Sequence, residues 1–453
     1  MVMSTQGQLV DSGTPVEVAP PSPRVDALVQ RPQRHQVEIG MFTLDDRVPH
    51  DHSVRGVEAV ISSLDLTELM AKVRANAEEG GRPAIDPRIL LTLWVYGSTR
   101  GEIEASEIAR RTKTDDIYRW ICGGVTVGER KLADFRAKGA EVFDALLTQV
   151  VVALMSEGLI DLHRTAQDGT RVRTWTGADS FRRQDTLETL LAAARAHLEA
   201  LRVQARDPRL SKVARVAKER GARQRVERLE RAVVKVKELT EGLTEAERKD
   251  PKKAPRVSTT DPDAMRMKMS DGGFRPAYNV QFDTTADGQG AVVGVSASNR
   301  GNDYGEMAPM LDQVEERTGE RTAEKLVDGG YFQKEDIRLV ERSGTQVFAP
   351  VPKRSAAPGG TQDGQRSAEE LAFHERIRSD EGKAIYRKRG EVAELTNAHA
   401  KSRYGLVLLL MRGVKGALTM ALLAALTKDV QVLVRARAAK AQRSPIAAVT
   451  TPS

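Results

Sequence analysis

The sequence predicts an all-α N-terminal domain followed by an α/β domain that a helical hairpin interrupts. Three observations lead there. From Val57 to about Gly158 the apolar residues recur at helical spacing. After Gly158 short alternating runs bounded by Asp-Gly and Gly-Gly pairs take over, the pattern of strands and turns. Between Asp185 and about Lys253 heptad-like spacing returns, with Leu187, Leu191, Ala194, Leu198 and Leu201 in one arm and Val226, Leu229, Val233 and Val236 in the other.

In chain order, residues 1–35 read as a disordered arm rich in Pro, Ser, Gly and Val. Residues 36–157 form the helical domain, 158–434 the α/β domain with its hairpin insertion at 185–253, and 435–453 a flexible basic tail. Candidate helices run Val57–Ala77, Asp86–Thr99, Ile103–Arg111, Asp115–Ile121 and Lys131–Met155, with Asp86 as N-cap and Pro87 in the first turn. The run EIEASEIARRTKTDDIYRW has the look of a helix-turn-helix, which would expose Arg110, Arg111, Lys113 and Arg119 to DNA. Leu159–Gln167 reads as a strand ending in a turn at Asp168-Gly169-Thr170, and Asp207-Pro-Arg-Leu with Gly221 punctuates the hairpin. Arg275–Thr284 and Gly290–Ser298 form a β-hairpin about Ala286-Asp287-Gly288; a helix at Asp303–Arg317, a strand at Glu324–Val327 and a helix at Gln333–Arg342 follow.

Composition narrows the function. With Lys+Arg 70 against Asp+Glu 63, the net charge of +7 suggests a polyanionic partner. A single cysteine, Cys122, excludes an internal disulfide and a cysteine-based zinc finger, and suits a reducing cytosol. The first residues hold no apolar run of signal-peptide length, so secretion is not expected. Arg412, Lys415, Lys428 and Asp429 interrupt the apolar run Leu406–Val434, which reads as a buried helix pair and not a membrane span.

The chemistry concentrates late in the chain. Tyr386–Lys401 reads as one helix on which Glu394, Asn397 and Lys401 share a stripe, with Tyr386 and Arg389 one to two turns upstream. Asp168 and Asp328 stand at strand ends, where sites form in open α/β sheets. Two strand aspartates and a helix glutamate suit two Mg²⁺ ions, which take hard oxygen ligands and drive in-line phosphodiester displacement without a protein nucleophile. Glu391 is a rival third acid, but it lies off the Glu394 stripe. Trp175 reads as packing or as a stacking face, and Asn279 and Gln281 as the polar side of a strand that borders the cleft or meets solvent.

TAQDGT at Asp168, the run Ser258–Gln281, KLVDGGYF at Asp328, and the pattern Tyr386, Arg389, Glu394, Lys401 together resemble bacterial insertion-sequence transposases of the DDE class. In the first half VPHDHSVR, GRPAIDPRILLTLWVYG and DDIYRWICGG are similar to the helical N-terminal domain of that group, so the likeness spans about Gln36 to Val434. The resemblance implies an RNase H-like, integrase-like catalytic domain with Asp168, Asp328 and Glu394 as metal-binding triad. It implies Tyr386, Arg389 and Lys401 as phosphate grips, Mg²⁺ with Mn²⁺ able to substitute, and double-stranded DNA, as terminal inverted repeats and target, for partner. It further implies a homodimer or larger synaptic assembly, a bacterial cytoplasmic location and no membrane partner. The chain departs from many relatives after Glu394, where Leu395, Thr396, Asn397 and Ala398 replace a proline and an aromatic-glycine pair. A nuclease without strand transfer and a catalytically silent DNA-binding descendant are the alternatives.

Overall fold

The chain begins its described structure as a cluster of short helices whose ends are fixed by local caps. The computed structural model describes residues 41–71, 84–204, 212–351 and 367–443. The expected arm at 1–35 lies outside them, as do residues 72–77 of the first expected helix and 444–453 of the tail. Helices α1 (Ser53–Ser63), α2 (Thr67–Ala71), α3 (Pro87–Thr99), α4 (Ala105–Thr114), α5 (Asp116–Cys122), α6 (Glu129–Ala137) and α7 (Ala140–Ser156) precede the first strand. Asp86 caps α3 by accepting from the Arg88 N–H, with Pro87 just inside, and Asp115 caps α5. His52 does the same for α1 through Nδ1, which gives this histidine a structural task. The expected single helix Lys131–Met155 is broken into α6 and α7, bent by 75°. Gly139 sits at the break, where a Cβ would lie 2.6 Å from the Phe143 ring.

Strand β1 (Arg164–Thr174) leads to β2 (Phe181–Arg182) and then the hairpin of α8 (Gln184–Gln204) and α9 (Lys212–Glu241). Leu187, Leu191, Ala194 and Leu198 pack against Ala222, Val226, Leu229, Val233 and Val236, the heptad seam read from the sequence. Gly221 does not separate the arms; it lies within α9, and the segment 205–211 with its Asp-Pro lies outside the described residues. The chain returns through α10 (Glu245–Arg248), β3 (Val257–Ser258), β4 (Met265–Lys268), β5 (Phe274–Thr285) and β6 (Val292–Ser298). Then follow α11 (Met307–Thr318), β7 (Glu324–Leu326), α12 (Lys334–Arg342), β8 (Gln346–Phe348), α13 (Ala368–Arg378), α14 (Asp380–Arg389), a π-turn at Gly390–Glu394, α15 (Leu395–Ser402), β9 (Leu408–Leu409) and α16 (Gly413–Arg443).

The main sheet runs β4-β5-β1-β7-β8, with β6 also on β5 and β9 also on β1. β5 pairs antiparallel with both β1 and β6, whereas β7 and β8 run parallel to β1. Contrary to the expected strand end, β1 passes straight through Asp168 and Gly169, which pair with Phe282 and Gln281. Asp-Gly favours a turn only where the backbone is free to make one, and here both residues are tied into the ladder.

α16 organises the core. In place of the expected helix pair at 406–434, the short strand β9 is followed by one helix that packs on α1, α3, α7 and β6. Leu422, Leu426, Val430 and Leu433 are fully buried, each contributing roughly 1.5–3 kcal/mol. α16 is long and apolar enough to cross a membrane, but 83% of its most apolar window is buried inside this chain, as in a core helix. Two of the four charges that interrupt the run are buried: Lys428 donates to the Thr396 hydroxyl at 3.0 Å, and Asp429 accepts from the Val292 N–H at 2.9 Å through one carboxylate oxygen while the other has no partner. The helix continues to Arg443, so the first nine residues of the expected flexible tail are ordered helix. Helices before β1, α16 and the inner strands therefore share one hydrophobic core, and from Thr43 onward the chain is a single compact unit.

A candidate active site of three carboxylates

Strands β1 and β7 set the first two acids side by side. In their parallel register Ala166 faces Leu326, and with Phe348 and Ala393 these form a small apolar cluster under the α14–α15 segment. Two residues further on come Asp168, within β1, and Asp328, just past the end of β7. Asp328 also caps the turn after β7, accepting from the Gly330 N–H at 2.8 Å.

The third acid arrives through a local irregularity. In an α-helix residues five apart lie about 140° apart around the axis, so Arg389 and Glu394 would diverge. The i→i+5 turn at Gly390–Glu394 widens the helix there and brings them onto one side, with Arg389 Nη1 3.4 Å from Glu394 Oε1. Arg389 Nη2 reaches Asp168 Oδ1 at 3.4 Å and Asp328 Oδ2 at 3.9 Å. One guanidinium thus stands between all three carboxylates. Glu391, the rival, and Glu394 are both exposed, but it is Glu394 that pairs with Arg389.

Asn397 donates from Nδ2 to Asp168 Oδ2 at 2.9 Å, so the position where the chain departs from its look-alikes is tied to the first acid. Lys401 is half-buried; burial lowers its ammonium pKa while Asp168 pulls it back up, which places the two within electrostatic reach. Burial also raises the Tyr386 phenol, beside Arg389 and the acids. Six expected residues, Asp328 after β7 and Tyr386, Arg389, Glu394, Asn397 and Lys401, therefore gather about Asp168.

Asp168 itself is pushed up to about 6, chiefly by burial and further by Asp328 and Asp303, with Arg389 and Asn397 opposing. An unfolded aspartate titrates near 3.9, so the folded state holds this proton more tightly. The stability it contributes is complete below about pH 4 and is lost as pH rises through about 6. In chelator at pH 8, Asp168→Asn should therefore stabilise the fold by ~1–3 kcal/mol, seen as a melting temperature several degrees higher, and the gain should vanish near pH 4.

Sequence reasoning missed Asp303. Its Oδ1 accepts from Asn279 Nδ2 at 2.7 Å and Gln281 Nε2 at 2.6 Å, so both of those residues are buried in a polar layer and neither faces solvent. A Cβ on Gly169 would lie 2.4 Å from Asp303 Oδ1, and one on Gly330 would lie 3.2 Å from Oδ2. The glycines that follow both strand acids thus make room for the same carboxylate. The only sequence signal was the pair of Asp-Gly dipeptides, which reads equally as turn chemistry.

Elsewhere the expected DNA contacts differ. Arg110 and Lys113 are exposed, but Arg111 and Arg119 are half-buried. Arg110 is held by Glu107 at 2.6 Å, Arg111 by Glu102 at 2.5 Å and Arg119 by Asp116 at 2.8 Å, so most of this basic charge is already matched. Trp175 is 67% exposed and is not packing; it lies seven residues beyond Asp168, past the end of β1.

Residues 42–138 match the family described as Transposase domain (DUF772). The match supports a transposase family. It covers α1 to α6 and ends before β1, so it speaks for the helical half and not for the carboxylates. No curated protein and no solved structure matches the chain. A transposase-family domain over these residues suggests a role in transposition, with DNA as the partner.

Proposed function

We propose that the chain is a Mg²⁺-dependent DDE transposase that cuts phosphodiester bonds at the ends of an insertion sequence and joins the freed 3′-hydroxyl to target DNA. The observation that carries this reading is the convergence of Asp168, Asp328 and Glu394 on Arg389. The strand order β6-β5-β1-β7-β8, antiparallel through the first three and parallel through the last two, supports an RNase H-like catalytic core.

An all-carboxylate donor set fits a hard divalent cation. As the side chains stand, no three His, Cys, Asp or Glu among the described residues are close enough to hold an ion. The Arg389 guanidinium lies between them, so Asp168, Asp328 and Glu394 would hold metal once Arg389 turns outward. Bound there, Mg²⁺ would supply Lewis acidity to the scissile phosphate and lower the pKa of an attacking water.

The chain's own residues do the rest. Arg389, turned outward, presents a fork suited to two phosphate oxygens, Lys401 a point charge and Tyr386 a hydroxyl. Asn397 orients the Asp168 carboxylate by its single hydrogen bond. The exposed Lys113 of α4 remains for the DNA flank, within an assembly of two or more chains that pairs two ends.

The test is cleavage and joining of a labelled duplex carrying the DNA that flanks the chain's own reading frame, with Mg²⁺ or Mn²⁺. Wild type should give cut and joined products, whereas Asp328→Ala and Glu394→Gln should bind the duplex and lose cutting by a factor of ~10³ or more. Cutting without joining would point to a plain nuclease. Binding without metal-dependent cutting would make the chain a silent DNA-binding descendant.

A further inference from the structure

Away from the three acids, the hairpin and the loop after β3 enclose a cleft of about 330 Å³ lined by Leu190, Leu229, Arg225, Arg228, Thr259 and Thr260. Burial holds the Arg228 guanidinium below its usual pKa; Arg412 and Arg225 add to this and the neighbouring Glu227 opposes it. Among the described residues none of the three arginines is ion-paired, and the buried Nε of Arg228 has no hydrogen-bond partner. Their neighbours on the same helix behave differently: Arg231 is held by Asp263 at 2.6 Å and Arg223 by Glu219 at 3.0 Å.

Arg225 and Arg412 are exposed and Arg228 is half-buried, so the cost falls on the buried Arg228 N–H, which an anion seated in the cleft would satisfy. Guanidinium forks match phosphate oxygens in pairs, and the Thr259 hydroxyl adds a donor at the rim. The site also has an address on the fold. Thr260 donates to the Thr176 hydroxyl at 3.4 Å, next to exposed Trp175, whose N–H donates to Leu409, three residues before Arg412. Along β1 from Asp168 to Thr174 the distance is about 20 Å at ~3.3 Å per residue.

We infer that the Arg225–Arg228–Arg412 cleft binds a backbone phosphate of the same duplex whose end lies at the three acids, roughly six base pairs from the cut. The inserted hairpin then acts as a clamp on the DNA flank, with Trp175 beside it. This rests on DNA being the substrate.

The test is binding of the flanking-sequence duplex as a function of KCl. Arg228→Gln/Arg412→Gln should bind roughly tenfold more weakly, with a log K against log salt slope shallower by about one. Arg228→Lys/Arg412→Lys should recover the slope. On a duplex cut back to four base pairs the wild type and the Gln pair should become equal, since the clamped phosphate is gone.

If wild type binds and cuts the long duplex but the Gln pair matches it in affinity and slope, the clamp is wrong while the transposase reading stands. A difference that persists on the short duplex overturns the placement. If wild type binds no duplex yet takes up inorganic phosphate by calorimetry, the cleft is a small-anion site, and both this inference and the DNA reading fall.

Discussion

Lys325→Met should destabilise the protein by about 3–5 kcal/mol, measured by urea unfolding. Lys325 and Asp283 form an ion pair with no exposure on either side chain, and Thr165 donates to the same carboxylate oxygen at 3.2 Å. Removing the lysine leaves an uncompensated charge inside the sheet, three residues before Asp328 and two from Gln281. Burial already holds the Lys325 pKa below its ordinary value, and only Asp283 sustains the ammonium. The double change Lys325→Met/Asp283→Leu should recover most of the loss, because an apolar pair of similar volume removes both desolvation costs. A double variant as unstable as the sum of the two single changes would show that the residues are not coupled.

Arg389→Ala should lower DNA cleavage by roughly 10²–10³ while leaving the fold intact. In the free protein the guanidinium is the shared counter-ion of three carboxylates, and Arg389 lowers the Asp168 pKa against burial. Without it Asp168 should titrate higher still, so the acid limb of the pH–rate profile should move to higher pH. Arg389→Lys should restore the position of that limb but not the full rate, since an ammonium keeps the charge and loses the planar fork. Equal activity of the Ala and Lys variants would mean that the charge at this position does not matter.

How much of this was legible follows from the range of the forces involved. The hairpin seam was, because heptad spacing is a local pattern and its apolar residues pack as spaced. The gathering of Asp328, Arg389, Glu394, Asn397 and Lys401 about Asp168 was legible in outline, since helical spacing put most of them on one stripe. The π-turn that actually aligns Glu394 with Arg389 was not: Gly390 marks a weak point in the helix but not how it opens, and the widened segment packs on the sheet through Ala393. The strand through Asp168-Gly169 was misread because its cause, the ladder with Phe282 and Gln281 of β5, lies far along the chain. Lys428 and Asp429 looked like a break for a similar reason: their partners, Thr396 and Val292, are remote in sequence. The ion pairs that quieten Arg110 and Arg111 were the opposite case. Glu107 stands three and four residues before them, a spacing that predicts those pairs.

The most direct measurement of the central claim is metal-specificity rescue at one of the acids. Asp328→Cys replaces a hard oxygen donor by a thiolate, which Mg²⁺ accepts poorly and Mn²⁺ more readily. If Asp328 is a metal ligand, the variant should be inactive in Mg²⁺ and regain cleavage of the flanking-sequence duplex in Mn²⁺, by at least tenfold relative to Asp328→Ala in the same ion. If Asp328→Cys cuts equally in both ions, or remains as dead in Mn²⁺ as Asp328→Ala, Asp328 does not hold a catalytic metal and the three-carboxylate site is not what this chain uses.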